Sequence, residues 1–149
     1  MSIQELEDRI LLRELVDNVS ILGDQKDFNA QLNLFAEDAL SETFAEGALV
    51  LEVKGREEMA KAFSKFLKEY ETVYHFNGQH VVTYNGDEAS GTCYCFITLI
   101  SSENGKKVKT YIGAVYHDEY IRQDGRWLIA KRIGNFEWQE KMLLTNRKI

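Results

Sequence analysis

The chain has 149 residues, 44% of them hydrophobic and 28% charged, with a formal net charge of −6 and no proline. That length and balance fit one folded domain with a sizeable core and exclude a disordered or fibrous chain. Acidic residues are in excess and no run of Lys or Arg occurs, so neither nucleic acid nor an anionic membrane surface is expected as a partner, because both need clustered cations.

The opening residues, Met1 to Asp8, are acidic and lack the basic, then apolar, order of a secretory leader. No apolar run reaches the ~20 residues of a membrane span, and the expected location is the cytoplasm. A first helix is predicted from Ser2, whose spacing to Glu5 is that of a capping box, with Leu6, Ile10, Leu12, Val16 and Val19 recurring near the helical period. Gly23 is expected to stop it. Asp27 then caps a short second helix with the stripe Phe28, Leu32 and Phe35. A hairpin follows, Leu40 to Phe44 and Leu49 to Val53, turning at Glu46-Gly47, and a third helix opens near Gly55 with Met59, Phe63, Phe66 and Tyr70 on one side.

From Thr72 the pattern is β-rich for the rest of the chain through Trp138. Asn85-Gly86, Asn104-Gly105 and Asp124-Gly125 are consecutive hairpin signals, which predict an antiparallel meander. The segments between them run to about twice the ordinary strand of roughly 5–6 residues, so the sheet must coil and acquire a concave face. Gly91, Gly113 and Gly134 are expected to relieve that bend. Helices first and meander after predict a single α+β domain over residues 1–149: a cone-shaped barrel in which a strongly curved antiparallel sheet wraps over three helices. Cys93 and Cys95 lie two apart on one strand face, a spacing poorly suited to a disulfide, and are read as small buried hydrophobes.

Several short marks occur in a fixed order. They are Asp24-Gln25-Lys26-Asp27-Phe28, Leu34-Phe35-Ala36-Glu37-Asp38-Ala39, Lys54-Gly55-Arg56-Glu57-Glu58, Tyr74-His75-Phe76, Tyr84-Asn85-Gly86-Asp87 and Asp124-Gly125-Arg126-Trp127. In that order the chain resembles the SnoaL-like branch of the superfamily named after nuclear transport factor two. The resemblance covers nearly the whole chain, through Trp138. It implies a conical barrel with a largely apolar pocket, a homodimer formed through the outer sheet face, and relatives as different as scytalone dehydratase, ketosteroid isomerases, polyketide cyclases and small subunits of ring-hydroxylating dioxygenases. Fold alone therefore leaves the reaction open.

His75 is the foremost candidate, since histidine exchanges protons near neutral pH and this one stands at the entry to the sheet, where the dehydratases' catalytic histidine is similar in position. Asp24 is its expected partner, as a general base or as the carboxylate that orients the histidine. Each has a structural alternative: a turn or cap aspartate, and a half-buried histidine bonded to backbone. Tyr94 and Tyr111 are candidate phenolic donors to an oxyanion, and Tyr116, His117, Asn135 and Glu42 are further candidate pocket residues. Alternation separates Tyr111, Gly113, Val115 and His117 from Ile112, Ala114, Tyr116 and Asp118, but both sets are apolar enough to line a pocket. His80 is read as a surface strand residue. There is no phosphate loop, nucleophile elbow, or metal-spaced His or Cys motif, so neither metal nor cofactor is implied. The expected function is binding of a small, mostly apolar molecule. Any chemistry would be cofactor-free acid–base chemistry of the dehydratase, isomerase or cyclase type. The alternative is a non-catalytic binding protein or accessory subunit.

Overall fold

The computed structural model describes residues 1–145. Helix α1 spans Ile3–Asp24, and the Ser2 hydroxyl caps it by accepting from the Glu5 amide at 3.0 Å. Its apolar stripe buries Leu12, Val16 and Val19, each at about 1.5–3 kcal/mol for a fully buried side chain. Helix α2 is Phe28–Leu32, capped by Asp27, and α3 is Arg56–Leu67. The strands are β1 Phe35–Ala45, β2 Ala48–Lys54, β3 Thr72–Asn85, β4 Glu88–Glu103, β5 Lys106–Gln123 and β6 Arg126–Leu143.

The α+β architecture is as expected, and two features refine it. The six strands form an open sheet in the order β2-β1-β6-β5-β4-β3, and it is mixed, because β1 runs parallel to β6. Phe35 belongs to β1 rather than to the second helix. Its place opposite Ile129, with the Ile129 amide donating to the Leu34 carbonyl at 2.9 Å, draws it into the sheet. The turns at Glu46-Gly47, Asn104-Gly105 and Asp124-Gly125 have positive φ at both residues, the twist that suits a two-residue hairpin. The turn after β3 sits one residue later than its Asn-Gly signal. Asn85 still pairs with Glu88, and Gly86-Asp87 make the bend.

The helices cover one face of the sheet. On β5 that inner face holds Ile112, Ala114, Tyr116, Asp118 and Tyr120, whereas His117 and Glu119 are exposed on the outer face. The three glycines expected to relieve the bend prove to be seats for aromatic rings. A side chain at Gly91 would strike Tyr120, one at Gly113 would strike Trp138, and one at Gly134 would crowd Tyr116. Of the three, Gly113 also borders a register shift in the β5–β6 ladder.

One polar group is locked into this framework. Asp8, fully buried on α1, accepts from both terminal nitrogens of Arg122 at 2.6 and 2.8 Å, from the Tyr84 hydroxyl at 2.6 Å and from the Trp127 indole at 3.0 Å. It ties the first helix to β3, β5 and β6, and no short motif in the sequence announces it.

Candidate functional site

Between the three helices and the inner sheet face lies a cavity of about 700 Å³, within the ordinary range for small-molecule sites. Most of its lining is apolar, from Phe35, Phe63, Leu99, Ile112 and Phe136 among others. Two polar walls interrupt it.

The first wall is His75 with Asp24. Asp24 is the last residue of α1, placed where the chain turns toward α2, and His75 is the fourth residue of β3. Asp24 Oδ1 lies 2.6 Å from His75 Nδ1, and both carboxylate oxygens accept from the His75 backbone amide at 3.1 Å. Asp24 thus caps backbone, as its structural alternative held, but the amide belongs to β3 and not to its own turn. A carboxylate only accepts, so the neutral ring carries its proton on Nδ1 and leaves Nε2 as the basic nitrogen. Both side chains are mostly buried, His75 borders the cavity, and Nε2 has no hydrogen-bond partner among the described residues.

The second wall comes from β1, β5 and β6. Arg132 is buried and gives Nε and Nη2 to the two oxygens of Asp118 at 2.8 and 2.9 Å, while its guanidinium carbon lies 4.1 Å from the centre of the Tyr116 ring. Burial works against the Arg132 charge, and Asp118 more than restores it, so this guanidinium stays protonated. Burial likewise keeps the Tyr116 phenol protonated, pushing it well above its ordinary value. Behind Asp118, the Tyr120 hydroxyl donates to Oδ2 at 3.0 Å and lies 3.0 Å from His80 Nε2. Because Tyr120 spends its proton on Asp118, the His80 ring donates to Tyr120. His80 is pushed below the usual histidine range, by burial first and by Arg13 second.

Of the residues singled out from sequence, the structure brings His75 and Tyr116 to the cavity, and Asp24 reaches it only through its contact with His75. Glu42 also borders it and pairs with Lys131 at 3.7 Å. Tyr94, Tyr111, His117 and Asn135 are on the opposite face and cannot reach it, a correction to their expected role. Tyr111 lies against Phe96 with ring centres 5.1 Å apart, and His117 bonds Thr92 beside a shallow outer depression of about 340 Å³. His80 is also corrected. A register shift between Asn77 and His80 turns it to the helix side, where it is half-buried and hydrogen-bonded. Cys93 and Cys95 are free and buried, and burial pushes their thiols up to about 11 and about 12. Arg132, Asp118 and Tyr120 were not among the candidates. The available signal was an arginine on a strand otherwise rich in apolar residues.

Gly91 makes the His80–Tyr120 contact possible, since a Cβ there would stand 2.8 Å from the Tyr120 hydroxyl and 3.2 Å from His80 Nε2. Gly91→Ala is expected to destabilise the fold by about 1–3 kcal/mol through overpacking. Urea unfolding checks this, and an unchanged midpoint would mean that the neighbours yield freely.

The sequence model of the SnoaL-like domain matches residues 4–133. The chain belongs to the SnoaL-like family. A Mycobacterium tuberculosis protein without an assigned function is 27% identical over 143 residues, covering 95% of this SnoaL-like chain and 94% of its relative. A scytalone dehydratase candidate from Novosphingobium aromaticivorans superposes with a TM-score of 0.82 at 16% identity, covering 94% of this chain and 91% of that one. A hexachlorocyclohexane dehydrochlorinase from Novosphingobium barchaimii superposes with a TM-score of 0.77 at 21% identity, covering 93% and 92% of the two chains. At those identities the two structures share the fold of this SnoaL-like protein. The fold suits binding or conversion of a small molecule. Among the described residues no cluster of His, Cys, Asp and Glu could hold a metal ion, and no helix is long and apolar enough to cross a membrane.

Proposed function

We propose that this SnoaL-like protein binds a small, largely apolar molecule in the 700 Å³ cavity and moves a proton on it, in a dehydration, isomerisation or cyclisation. His75 Nε2 is the base, and Asp24 fixes the ring and stabilises the imidazolium that forms. The observation that carries this reading is the 2.6 Å contact between Asp24 Oδ1 and His75 Nδ1 at the edge of an apolar space. An oriented imidazole beside a desolvated substrate is a strong arrangement for general base catalysis. The likeness to a dehydrochlorinase and a dehydratase candidate supports the same class of chemistry.

The test is exchange of carbon-bound hydrogen for deuterium in one- and two-ring apolar C–H acids, followed by NMR in deuterium oxide. Protein-dependent exchange supports the reading. Compounds that raise the melting temperature yet never exchange would make the protein a non-catalytic binder.

We further propose that the outer sheet face is covered by a second copy of the chain. Tyr74, Phe76, Tyr94, Phe96 and Trp138 are all exposed there, and the Trp138 ring sits over Gly113 and is tilted against Phe96, with ring centres 5.9 Å apart. An aromatic patch of this kind is typical of an interface core. Sedimentation equilibrium is expected to give a dimer, and Phe96→Glu a monomer. A wild-type monomer at high concentration refutes this arrangement.

A further inference from the structure

His75 and Asp24 stand on weakly supported parts of their elements. Asp24 is the last residue of α1. Strand β3 is an edge strand that among the described residues pairs only with β4, and a register shift follows Asn77. Helix ends fray and an edge strand is held from one side, so a 2.6 Å contact between the two needs something to keep them level. A row of side chains along the α1–β3 seam does this. Arg9 and Arg13 of α1 donate to the Val82 and Gly78 carbonyls at 3.0 and 2.9 Å, and Asn77 reaches from β3 back to α1. Its Nδ2 donates to Asp17 Oδ1 and to Ser20 Oγ, each at 3.0 Å, which uses both amide hydrogens. The helix and the strand run in opposite senses along this seam. Ser20 precedes Asp24 by four residues, about 6 Å of helix, and Asn77 follows His75 by two, about 6.6 Å of strand. Once Asn77 is on Ser20, His75 is therefore level with Asp24.

We infer that Asn77 is the positioning residue of the Asp24–His75 pair, fixing the height of β3 on α1 at which the carboxylate meets Nδ1. It acts through the pair and does not itself border the cavity. For its effect on a chemical step this inference rests on the acid–base reading above. Held level, Asp24 keeps the ring proton on Nδ1 and leaves Nε2 free to take a proton from carbon. When the strand slides, the ring is released. An unrestrained neutral imidazole favours the proton on Nε2, which removes the base. A misplacement on the order of 1 Å is enough to cost about 10²-fold in rate.

The test compares Asn77→Ala with Arg13→Ala, which loosens the same seam three turns before Asp24. The nitrogen-15 shifts of the His75 ring, read by NMR at a pH where the ring is neutral, report which nitrogen carries the proton. They are expected to place it on Nδ1 in the wild type and in Arg13→Ala, and to move toward the Nε2 form in Asn77→Ala. Exchange of carbon-bound hydrogen in a two-ring C–H acid is expected to fall roughly 10–100-fold in Asn77→Ala, while calorimetric titration of the same probe shows little change in Kd. Ser20→Ala removes one oxygen from the clamp and is expected to shift the ring the same way by less, which keeps the inference testable if Asn77→Ala does not fold. Ring shifts unchanged in Asn77→Ala, or moved equally in Arg13→Ala, overturn the positioning role. The ring shifts are read without any substrate, so the two readings fail separately. A ring that reverts in Asn77→Ala when the wild type exchanges no probe supports the clamp and defeats the acid–base reading. Wild-type exchange that persists undiminished in Asn77→Ala overturns the clamp alone.

Discussion

His75→Ala is expected to lower C–H to C–D exchange by roughly 10²–10⁴-fold, the usual contribution of a positioned general base. It removes the nitrogen that meets the substrate. It also leaves Asp24 bonded to the backbone amide of residue 75 at 3.1 Å, so the end of α1 stays anchored. Asp24→Asn tests the orienting role independently. An amide can turn its oxygen to the ring and keep the geometry, but it cannot stabilise an imidazolium as a carboxylate does. Turned the other way, it donates to Nδ1 and places the ring proton on Nε2, where no base remains. Exchange is therefore expected to fall strongly in Asp24→Asn while affinity for the probe changes little. The NMR exchange rate and the calorimetric Kd read these two quantities separately. If His75→Ala exchanges as fast as the wild type, the proton is moved by some other group and the proposed function is wrong.

Asp8→Ala is expected to cost about 3–5 kcal/mol of stability, the range for removing one partner of a buried ion pair. The carboxylate is fully buried and receives donors from three strands. Among the described residues its loss leaves the Arg122 guanidinium with only the exposed Asp87 as a charged partner, and it strips the Tyr84 and Trp127 donors of their acceptor. Lys61→Ala is the control. Its contacts to Glu57 and Glu58 lie on an exposed helix face, and exposed pairs of this kind contribute about 0.2–1 kcal/mol or less. Urea unfolding of the two variants should therefore separate clearly, and similar midpoints would show that the Asp8 network does not hold the helix to the sheet.

The same group sets an acid limit. The Arg122 guanidinium first, then Tyr84, Trp127 and Gln4, outweigh burial and hold the Asp8 carboxyl well below the usual carboxylate range. Its folded pKa lies below its unfolded value of about 3.9, so its contribution is complete above that value and is lost as pH falls toward the folded pKa. Stability is expected to decline below about pH 4 in the wild type, and the decline should be shallower in Asp8→Ala.

The elements and their order were legible from the sequence because local chemistry encodes them. Ser2 and Asp27 cap the two helices they precede, and three of the four hairpin turns lie on their Gly-containing pairs because those bends need positive φ. His75 was legible as well, as a histidine between two aromatic residues at the start of the meander, and Asp24 as an aspartate at the end of the first helix. Which strand residues face the cavity was not legible. Both faces of β5 carry aromatic and aliphatic side chains, so alternation alone treats Tyr111 and Tyr116 alike. Counting along a strand also fails at register shifts. One shift turns His80 inward beside Tyr120, and another sends Trp138 outward although Phe136 points in. The packing of the three helices on one face decides the matter. It buries Tyr116, Asp118 and Arg132 together and leaves Tyr94, Tyr111, His117 and Asn135 outside. The Asp8 network is tertiary for the same reason, since Asp8 meets Tyr84, Arg122 and Trp127 across 76, 114 and 119 residues of chain. Short-range chemistry thus determined the helices, turns and strand lengths, while the cavity's polar walls exist only because long-range packing chose one face of the sheet.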